Sequence, residues 1–356
     1  MSQKKDRIKI LIPIRHPVGG IRTFLKYTYR NLDRDIYEFS FLASSKEWLT
    51  RIQDDFKEYR VNAIYTKQEN STLSMLLTMF LLLVRNKYHV IHSQGLTAGM
   101  IGVIANIMFR RPHVITLHQV FGKGYSIDAF FEKHARLKKH IIQVFLAKAD
   151  IIHCVSNDAR ENLLDFFPGL QTCKNKIITI RNGINVEQFH MANEMKSPPF
   201  RKIEGKFYIG FIGRYMPQKG FQYIIDAVNT MVNELAKKDI KVICIGGFSA
   251  FIREYKREIT KRGLTEYFEF LDFFANIAPV LKRIDLLLMP SRAEACPLLP
   301  MEALVCGTPI VAYSCIGLRE VLQDTPARMV PVGDVKGLVK EVIEIKKSYF
   351  GVKEEF

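Results

Sequence analysis

The sequence predicts an α/β protein with two successive doubly wound domains, each built around a parallel sheet. Short runs rich in Val, Ile, Leu and Phe alternate with longer segments of helical periodicity, first over residues 8–181 and again over residues 207–347. Such alternation is typical of units in which a helix crosses between neighbouring parallel strands. The chain has 356 residues, more than one hydrophobic core usually supports, so two domains are expected.

The first block contains seven apolar runs that we predict to be strands. They are Ile8–Ile14, Glu38–Ala43, Val61–Tyr65, Val90–His92, Val114–Leu117, Ile151–Val155 and Ile177–Arg181. Helices are predicted at Thr23–Asn31, Ser74–Arg85 and Asp128–Ala147. This pattern assigns residues 1–185 to an N-terminal Rossmann-like domain.

A second block follows residues 186–206, which contain Ser197-Pro198-Pro199 and are predicted to be a linker. Its predicted strands are Phe207–Ile212, Val242–Ile245, Phe268–Leu271, Leu286–Met289 and Ile310–Ala312. Its predicted helices are Phe221–Lys238, Ala250–Arg262, Ala278–Arg283, Met301–Cys306 and Val335–Lys347. Residues 207–356 are therefore assigned to a C-terminal Rossmann-like domain. Because ligands of such sheets bind beyond the carboxyl ends of the strands, the loops that follow strands are where chemistry is expected.

Charge is the unusual property of the composition. The chain has 52 basic and 36 acidic residues, a formal net charge of +16, and residues 1–190 hold 28 of the basic and 16 of the acidic ones. Such an excess is typical of proteins with an anionic partner, which leaves nucleic acid, a membrane surface and a phosphorylated small molecule open. The 48% hydrophobic content excludes a disordered or fibrous chain.

Metal-binding and membrane-spanning functions find no support in the sequence. None of the six cysteines forms a C-x-x-C pair and no histidine pattern completes a zinc site, so we expect reduced thiols, a cytoplasmic location and no metal. The longest apolar run, Leu73–Val84, is shorter than the ~20 residues of a membrane-spanning helix. Pro13, Arg15 and His16 end the N-terminal apolar run too early for a signal peptide.

Two strand-to-helix turns have the composition of anion sites. After the first predicted strand, Gly19-Gly20 allows a close backbone approach to an anion at the start of a helix, although a plain glycine turn fits the same residues. After Phe207–Ile212 comes Gly213-Arg214, and Lys219-Gly220 follows shortly. Two cations at the carboxyl end of a strand can clamp a diphosphate, and a solvated basic turn is the alternative.

The most specific segment is residues 290–304. It places Glu294 at the end of a predicted strand and Glu302 in the helix that follows, so the two carboxylates can contact different hydroxyl groups of one ligand. Ala295, Cys296 and Leu298 lie between them and bring backbone N–H groups close to a helix N-terminus, which favours an oxyanion or a phosphate.

With these residues the sequence resembles the family 4 retaining glycosyltransferases. Their signature is Glu, seven residues and Glu-Ala, then a Gly-x-Pro turn and a buried strand; here it is Glu294 to Glu302-Ala303, then Gly307-Thr308-Pro309. Weaker motifs occur in the family's order over residues 8–345. They are Gly19-Gly20, Thr116-Leu117-His118, Val155-Ser156, Asn182-Gly183-Ile184 and Gly213-Arg214 with Lys219-Gly220.

The resemblance implies the GT-B fold, two doubly wound Rossmann-like domains with a cleft between them, and a nucleotide-diphospho-sugar donor held mainly by the C-terminal domain. Arg214 and Lys219 would neutralise the leaving diphosphate without a metal or another cofactor. Glu294 would contact hydroxyls of the donor sugar, Glu302 would contact the ribose, and His118 would line the reaction centre. The implied catalytic residues are His118, Arg214, Lys219 and Glu294, and the implied donor-binding residues are Gly19, Gly20, Gly213, Ala295, Cys296, Leu298 and Glu302.

The sequence departs from the family pattern at two places. Cys296-Pro297 stands where many relatives have an aromatic residue and a glycine, and proline removes one backbone donor from the turn. The chain ends at Phe356, whereas relatives commonly continue into a helix that returns to the first domain. A Pro-Leu form of this turn also resembles some members of the family, which indicates a variant site, whereas the short C-terminus bears on domain closure more than on donor binding.

The acceptor is predicted from the basic N-terminal half. In GT-B transferases the N-terminal domain generally faces the acceptor. Residues 130–148 form a predicted basic amphipathic helix. Its pattern fits either binding to the anionic inner face of a membrane or an ordinary solvated helix whose apolar side covers the core. We therefore predict transfer of a sugar from a UDP- or GDP-sugar to a glycan or lipid-linked acceptor in polysaccharide or cell-envelope glycan synthesis. A soluble acceptor such as a sugar phosphate is the alternative. A basic nucleic-acid-binding protein is a third hypothesis, which no RNA- or DNA-binding motif supports.

Overall fold

Two parallel sheets organise the chain, one on each side of a division after Gly183. The structure is a computed structural model that describes residues 7–15, 19–59, 61–122, 135–190, 200–247, 250–272 and 276–348. The expected pair of doubly wound, Rossmann-like domains is confirmed by these two sheets. Within the described ranges, no helix is both long enough and apolar enough to cross a bilayer.

The first unit contains a seven-stranded parallel sheet with the order β3-β2-β1-β4-β5-β6-β7. Its strands are β1 Ile8–Ile14, β2 Tyr37–Ala43, β3 Val61–Tyr65, β4 Val90–Gln94, β5 His113–Leu117, β6 Ile151–Cys154 and β7 Ile177–Thr179. The chain builds the sheet outward from β1 in one direction and then returns to β4 and builds in the other. The point between β1 and β4 is therefore the switch point at which such sheets bind ligands.

Helices cover both faces of this sheet. Those described are α1 Gly20–Tyr29, α2 Lys46–Asp55, α3 Thr72–Arg85, α4 Leu96–Asn106, α5 Ala135–Ala147 and α6 Asn157–Phe166. Right-handed crossovers place α1 and α2 on one face and α3 to α6 on the other. Alternation along the strands agrees with this division, because Ile12 packs with Phe24 and Leu49 whereas its neighbour Leu11 packs with Met79 and Ile101.

The second unit contains a six-stranded parallel sheet with the order β10-β9-β8-β11-β12-β13, and its switch point lies between β8 and β11. Its strands are β8 Phe207–Ile212, β9 Ile240–Ile245, β10 Phe268–Leu271, β11 Leu286–Met289, β12 Ile310–Tyr313 and β13 Arg328–Val330. Its described helices are α7 Val186–His190, α8 Phe221–Asn229, α9 Ile252–Lys261, α10 Ala278–Arg283, α11 Leu299–Val305, α12 Leu318–Val321 and α13 Val335–Lys347.

Some elements differ from the pattern predicted above. Residues 186–206, assigned to a linker, begin with helix α7, whose Phe189 packs with Ala278 of the second unit. Helix α11 begins at Leu299 rather than Met301, because Pro300 is tolerated in the first turn, where its missing N–H has no partner to lose. Strand β13 was not predicted, since three edge residues give no measurable alternation.

Candidate active site

The central strands of the second sheet deliver two loops to its switch point. Residues 213–220 follow β8 and residues 290–298 follow β11, and β8 and β11 are hydrogen-bonded neighbours. Two hydrogen bonds join the loops: Gln218 Nε2 donates to the carbonyl of Ala293 over 2.7 Å, and the Arg292 amide donates to the carbonyl of Gln218 over 2.8 Å. Each loop therefore fixes the position of the other.

Gly220 permits this close approach. Its backbone is left-handed, with φ of +71°, and a Cβ atom at this position would lie 1.9 Å from the carbonyl oxygen of Pro290. Since L side chains avoid this conformation and no Cβ fits so close to a carbonyl oxygen, only glycine allows the two loops to meet in this way.

An ion pair between the loops lies at the switch point. Lys219 Nζ is 2.6 Å from Glu294 Oε1, and the Ser291 hydroxyl donates to the same oxygen over 2.7 Å. Glu294 is only 7% exposed, while the Lys219 side chain keeps a quarter of its surface accessible. Within the described part of the chain, Glu294 Oε2 has no partner, so this carboxylate can accept hydrogen bonds from a ligand while Oε1 holds the lysine.

Arg214 adds a second positive charge to the β8 loop. It is exposed, and its guanidinium forms no ion pair with any of the residues that the structure describes. The adjoining Gly213 amide donates to the Ile245 carbonyl over 2.8 Å, and its carbonyl lies so close to Gly246 that a Cβ there would be 2.2 Å from it. The backbone beneath Arg214 is thus fixed while its side chain is free to meet an anion.

Glu302 lies in the first turn of α11 and is buried, with 7% of its surface exposed. Burial raises the pKa of its carboxyl group to about 7, from the ordinary 4.5. Its carboxylate makes no hydrogen bond to the described residues. A buried carboxyl group without a partner is costly in its charged form, so this site favours a ligand that donates hydrogen bonds to it.

The raised pKa of Glu302 predicts a pH dependence of stability. Between pH 4.5 and about 7 the folded state holds a proton that the unfolded chain has released, so the free energy of unfolding must fall as pH rises through this window, by about 2–3 kcal/mol at most. The Glu302→Gln variant lacks this titration. Chemical denaturation of both proteins from pH 4.5 to 8 should show the variant gaining stability relative to the wild type; parallel curves would contradict the prediction.

The turn between the two glutamates contains the predicted Ala295, Cys296 and Leu298. Cys296 and Leu298 are buried, and Leu298 directly precedes α11. Pro297 and Pro300 both lack an N–H group, so this turn offers fewer backbone donors than the residue count suggests.

Several residues that shape the site were missed by the sequence reasoning. Ser291 and Gln218 contact Glu294 and its loop through hydrogen bonds, but a serine and a glutamine in loops are too common to be singled out. Gly317 precedes α12, and a Cβ there would lie 2.4 Å from the carbonyl oxygen of Glu294. A glycine in the loop that follows the predicted strand Ile310–Ala312 was the available signal for it.

In the first unit, His118 follows β5 at the carboxyl edge of the sheet. Its ring packs edge-on against Phe24 of α1, with centroids 4.8 Å apart, and its Nε2 is 2.8 Å from Oε1 of Gln94 at the end of β4. Burial, followed by the nearby His153 and His92, lowers the pKa of His118 to about 3. The imidazole is therefore neutral near pH 7 and interacts through hydrogen bonds rather than through a positive charge.

Gly19 and Gly20 stand at the same carboxyl edge, directly before and at the start of α1. Gly19 has φ of +55°, and both glycines are exposed. The preceding residues 16–18 lie outside the described part of the chain. The structure thus keeps both glycines available at the helix N-terminus, as the anion-site interpretation requires.

One chain of hydrogen bonds joins the buried His153 to the part-buried His92 near this edge. His153 Nε2 lies 2.9 Å from the carbonyl of Ile180, and since a carbonyl only accepts, Nε2 carries the proton of the neutral ring. His153 Nδ1 must then accept, over 2.9 Å, from the hydroxyl of Thr116. The Thr116 oxygen in turn accepts from His92 Nε2 over 2.7 Å, which leaves His92 Nδ1 to accept from the Tyr29 hydroxyl over 2.5 Å.

The same logic fixes the protonation of His118. Because the Tyr29 proton is committed to His92, the Tyr29 oxygen accepts from Gln94 Nε2 over 3.4 Å. Gln94 Oε1 then faces His118 and accepts from its Nε2. His118 is therefore protonated on Nε2, and its Nδ1 has an unshared lone pair with no partner among the described residues.

We call the chain of hydrogen bonds from Ile180 to His118 the histidine relay. This relay predicts a single tautomer of His118. Nitrogen-15 NMR at pH 7 should show protonated Nε2 and unprotonated Nδ1 in the wild type. In Tyr29→Phe, Gln94 loses its acceptor and can rotate, so His118 should show averaged tautomers. Tyr88→Phe removes another buried tyrosine hydroxyl of the same unit and should leave the His118 signals unchanged. A wild-type His118 protonated on Nδ1 would contradict the relay.

The predicted basic helix 130–148 is described only in part. Residues 123–134 lie outside the described residues, and α5 occupies Ala135–Ala147. Ile142 and Leu146 of α5 are buried, whereas Leu137, Ile141 and Val144 are exposed.

The two Rossmann-like units have the fold of the GT-B glycosyltransferases. Two family models match the chain: Glycosyltransferase Family 4 over residues 18–188 and Glycosyl transferases group 1 over residues 206–348. Together they span most of the sequence. The chain is a glycosyltransferase of the GT-B, family 4 type.

Individual relatives agree with this assignment. The chain is 22% identical over 360 residues to the UDP-Gal:alpha-D-GlcNAc-diphosphoundecaprenol alpha-1,3-galactosyltransferase of Escherichia coli, covering 97% of this chain and 89% of the relative. It is 25% identical to the D-inositol 3-phosphate glycosyltransferase of Corynebacterium glutamicum, covering 65% of this chain and 57% of the relative. Among solved structures, Anabaena HepE in complex with UDP and glucose matches with a TM-score of 0.76 at 18% identity, over 98% of this chain and 93% of that chain.

Proposed function

We propose that this protein is a retaining glycosyltransferase that transfers a sugar from a UDP-sugar to a lipid-linked glycan acceptor without a metal ion. The observation that carries the proposal is the Lys219–Glu294 pair at the switch point of the second sheet, with Arg214 exposed on the same loop. In a nucleotide sugar, the cations can bind the diphosphate, and a carboxylate with one oxygen free of other partners can accept hydrogen bonds from the hydroxyl groups.

The chemistry assigned to Lys219 and Arg214 is leaving-group stabilisation. When the bond between the anomeric carbon and the diphosphate oxygen breaks, the electron pair leaves with the diphosphate, whose charge becomes more concentrated. Fixed cations at that point lower the barrier by several kcal/mol because they need no reorganisation during the reaction. Lys219 is held in advance by Glu294, and its remaining N–H groups can reach a phosphate.

The two glutamates are assigned to hydroxyl groups of the donor. Glu294 keeps Oε2 open while Oε1 is occupied by Lys219 and Ser291, which suits a hydroxyl of the transferred sugar. Glu302 is buried without a partner, and a ribose diol would supply the two hydrogen bonds that its ionised form needs. Donor binding should therefore favour the charged form of Glu302 and release a proton near neutral pH.

His118 is assigned to a substrate hydroxyl through its Nδ1 lone pair. Its neutral ring and fixed tautomer make it a hydrogen-bond acceptor rather than a proton donor at that atom. Gly19, Gly20, Gly213, Ala295, Cys296 and Leu298 are assigned to backbone contacts with the donor, a role that their loop positions support.

The donor and acceptor are proposed from the relatives. HepE was solved with UDP and glucose, and the Escherichia coli relative is named for UDP-Gal and a diphosphoundecaprenol acceptor, which favours UDP over GDP and a lipid-linked acceptor. The Corynebacterium relative is named for inositol 3-phosphate, so a soluble sugar phosphate is the second candidate.

The test measures nucleotide release and product configuration. The protein is incubated in EDTA with UDP-, GDP- and ADP-sugars and with a lipid-linked or a soluble phosphorylated acceptor. We expect UDP release that depends on the lipid-linked acceptor, and a product whose anomeric proton shows the α configuration of the donor. An inverted product, or turnover that requires a divalent metal, would contradict the corresponding part of the proposal.

A further inference from the structure

Three neighbouring helices of the first unit expose an unusual amount of apolar side chain. Helices α3, α4 and α5 lie on one face of the sheet, with α3 packed against α4 and α4 against α5. Together with the two residues after α4, they carry half of the exposed large apolar residues of the described chain. These are Leu73, Leu77, Phe80, Leu81, Val84, Ile104, Ile107, Met108, Leu137, Ile141 and Val144.

The exposed side chains form stripes that point away from the sheet. On α5 they are spaced at i, i+4 and i+7, directly opposite the buried Ile142 and Leu146. On α3 the exposed stripe likewise lies opposite Met75, Met79 and Leu83, which pack into the core. The exposed residues of α3 lie near those that follow α4, because the ring of Phe80 contacts that of the part-buried Phe109, next to Met108, with centroids 5.5 Å apart.

The charges carried by these three helices have one sign. The sequence contains no Asp or Glu over residues 70–127, and none over residues 133–149. The charged residues described within α3, α4 and α5 are all cations, Arg85, Arg136, Lys138 and Lys139, and four more cations follow these helices, Lys87, Arg110, Arg111 and Lys148. The first carboxylate after α5 is Asp150, which accepts a hydrogen bond from the His113 amide. We call this surface, the outward sides of α3, α4 and α5 with their terminal cations, the acid-free face.

The opposite face of the same sheet is different. Helices α1 and α2 expose no large apolar side chain, and α2 carries Glu47, Asp54 and Asp55 beside Lys46 and Arg51. Arg51 pairs with Glu47, as is usual on a solvated helix surface. The composition of the acid-free face is therefore a property of that face and not of the whole unit.

We propose that the acid-free face binds an anionic phospholipid bilayer. A solvated helix surface usually carries both signs of charge, as α2 does, whereas apolar side chains inserted beneath a layer of phosphate groups are favoured by flanking cations and opposed by carboxylates. The apolar stripes of α3 and α5, the exposed apolar residues at the end of α4 and the eight cations around them meet both conditions. The face is wider than the helix 130–148 expected from the sequence, since α3 and α4 contribute most of its apolar residues.

The consequence for the enzyme is that a lipid-linked acceptor would be met at the bilayer surface. That consequence depends on the proposed function, but vesicle binding does not, because it needs neither donor nor turnover. The two can therefore fail separately.

The experiment is flotation of the full chain with vesicles of phosphatidylcholine alone or of phosphatidylcholine and phosphatidylglycerol in a 3:1 ratio. We expect co-flotation with the anionic vesicles that weakens as salt is raised. The double variant Leu77→Glu/Ile107→Glu should bind about tenfold or more weakly, because it removes two inserted side chains and adds two carboxylates. Both residues are more than half exposed, so the fold should tolerate the changes.

The matched control is Ile203→Glu/Leu235→Glu, which makes the same exchange at exposed apolar positions of the second unit. It should float as the wild type does. Absence of binding to anionic vesicles, or equal loss in both double variants, would overturn the proposal. So would a dimer in sedimentation that Leu77→Glu/Ile107→Glu abolishes while the wild type ignores vesicles, because the face would then belong to a second copy of the chain.

Discussion

Lys219→Ala is expected to lower kcat by about 10²–10³-fold while the protein remains folded. The lysine ammonium lies 2.6 Å from Glu294 Oε1 at the switch point and is the fixed cation assigned to the leaving diphosphate. Its loss removes a charge that acts mainly as the bond breaks, so kcat should fall more than the affinity for the donor. Steady-state kinetics with the active UDP-sugar measures this, and Lys219→Arg should recover part of the rate.

A matched lysine separates catalysis from structure. Lys202 forms a comparable part-buried ion pair with Asp285, but at the opposite edge of the same sheet, where Asp285 also accepts from the Tyr208 amide over 2.8 Å. Lys202→Ala should lower the melting temperature and leave kcat near that of the wild type. Equal loss of turnover in both variants would show that Lys219 acts only through stability.

Gly220→Ala is expected to destabilise the second unit by about 3 kcal/mol or more. The added Cβ would meet the Pro290 carbonyl oxygen at 1.9 Å, and the backbone at φ of +71° is itself unfavourable for alanine. Because both loops of the candidate site are joined here, turnover should fall with stability. Denaturant unfolding monitored by circular dichroism measures the change.

Gly263→Ala is the control for this change. Gly263 has nearly the same backbone, with φ of +69°, but a Cβ there meets no atom within 4 Å. Gly263→Ala should lower the free energy of unfolding by only about 1 kcal/mol, because the left-handed conformation is unfavourable for alanine. The difference in unfolding free energy between the two variants measures the effect of the close contact between the loops. Equal losses of stability would show that this contact is unimportant.

The sequence predicted the architecture well because buried parallel strands are continuous apolar runs. Phe207–Ile212 and Leu286–Met289, the two strands that flank the second switch point, were predicted with the bounds that they have. Helix α4 was missed since Leu96–Asn106 is apolar on all sides and has no amphipathic period. Helix α7 was not predicted, because the turn residues of the segment 186–206 indicated a linker.

The candidate site was predicted in part. The placement of Lys219 and Glu294 after two predicted strands made them candidates, and the neighbouring positions of β8 and β11 explain why they meet. Sequence alone could not show that pairing, because strand order depends on long-range packing. The histidine relay from Ile180 to His118 likewise could not be predicted from the sequence, since it joins residues of β4, β5, β6 and α1 that are far apart in the chain.

The most direct test of the account is the melting temperature of the chain with UDP and with UMP, in EDTA, for the wild type and Lys219→Ala. A ligand at 100 times its Kd stabilises the native state by about 2.7 kcal/mol, which is readily measured. We predict a clear increase with UDP, a smaller one with UMP, and loss of that difference in Lys219→Ala, because Lys219 is assigned to the diphosphate. No increase with UDP, or the same difference between UDP and UMP in both proteins, would contradict the assignment of a nucleotide-diphosphate site to the second unit.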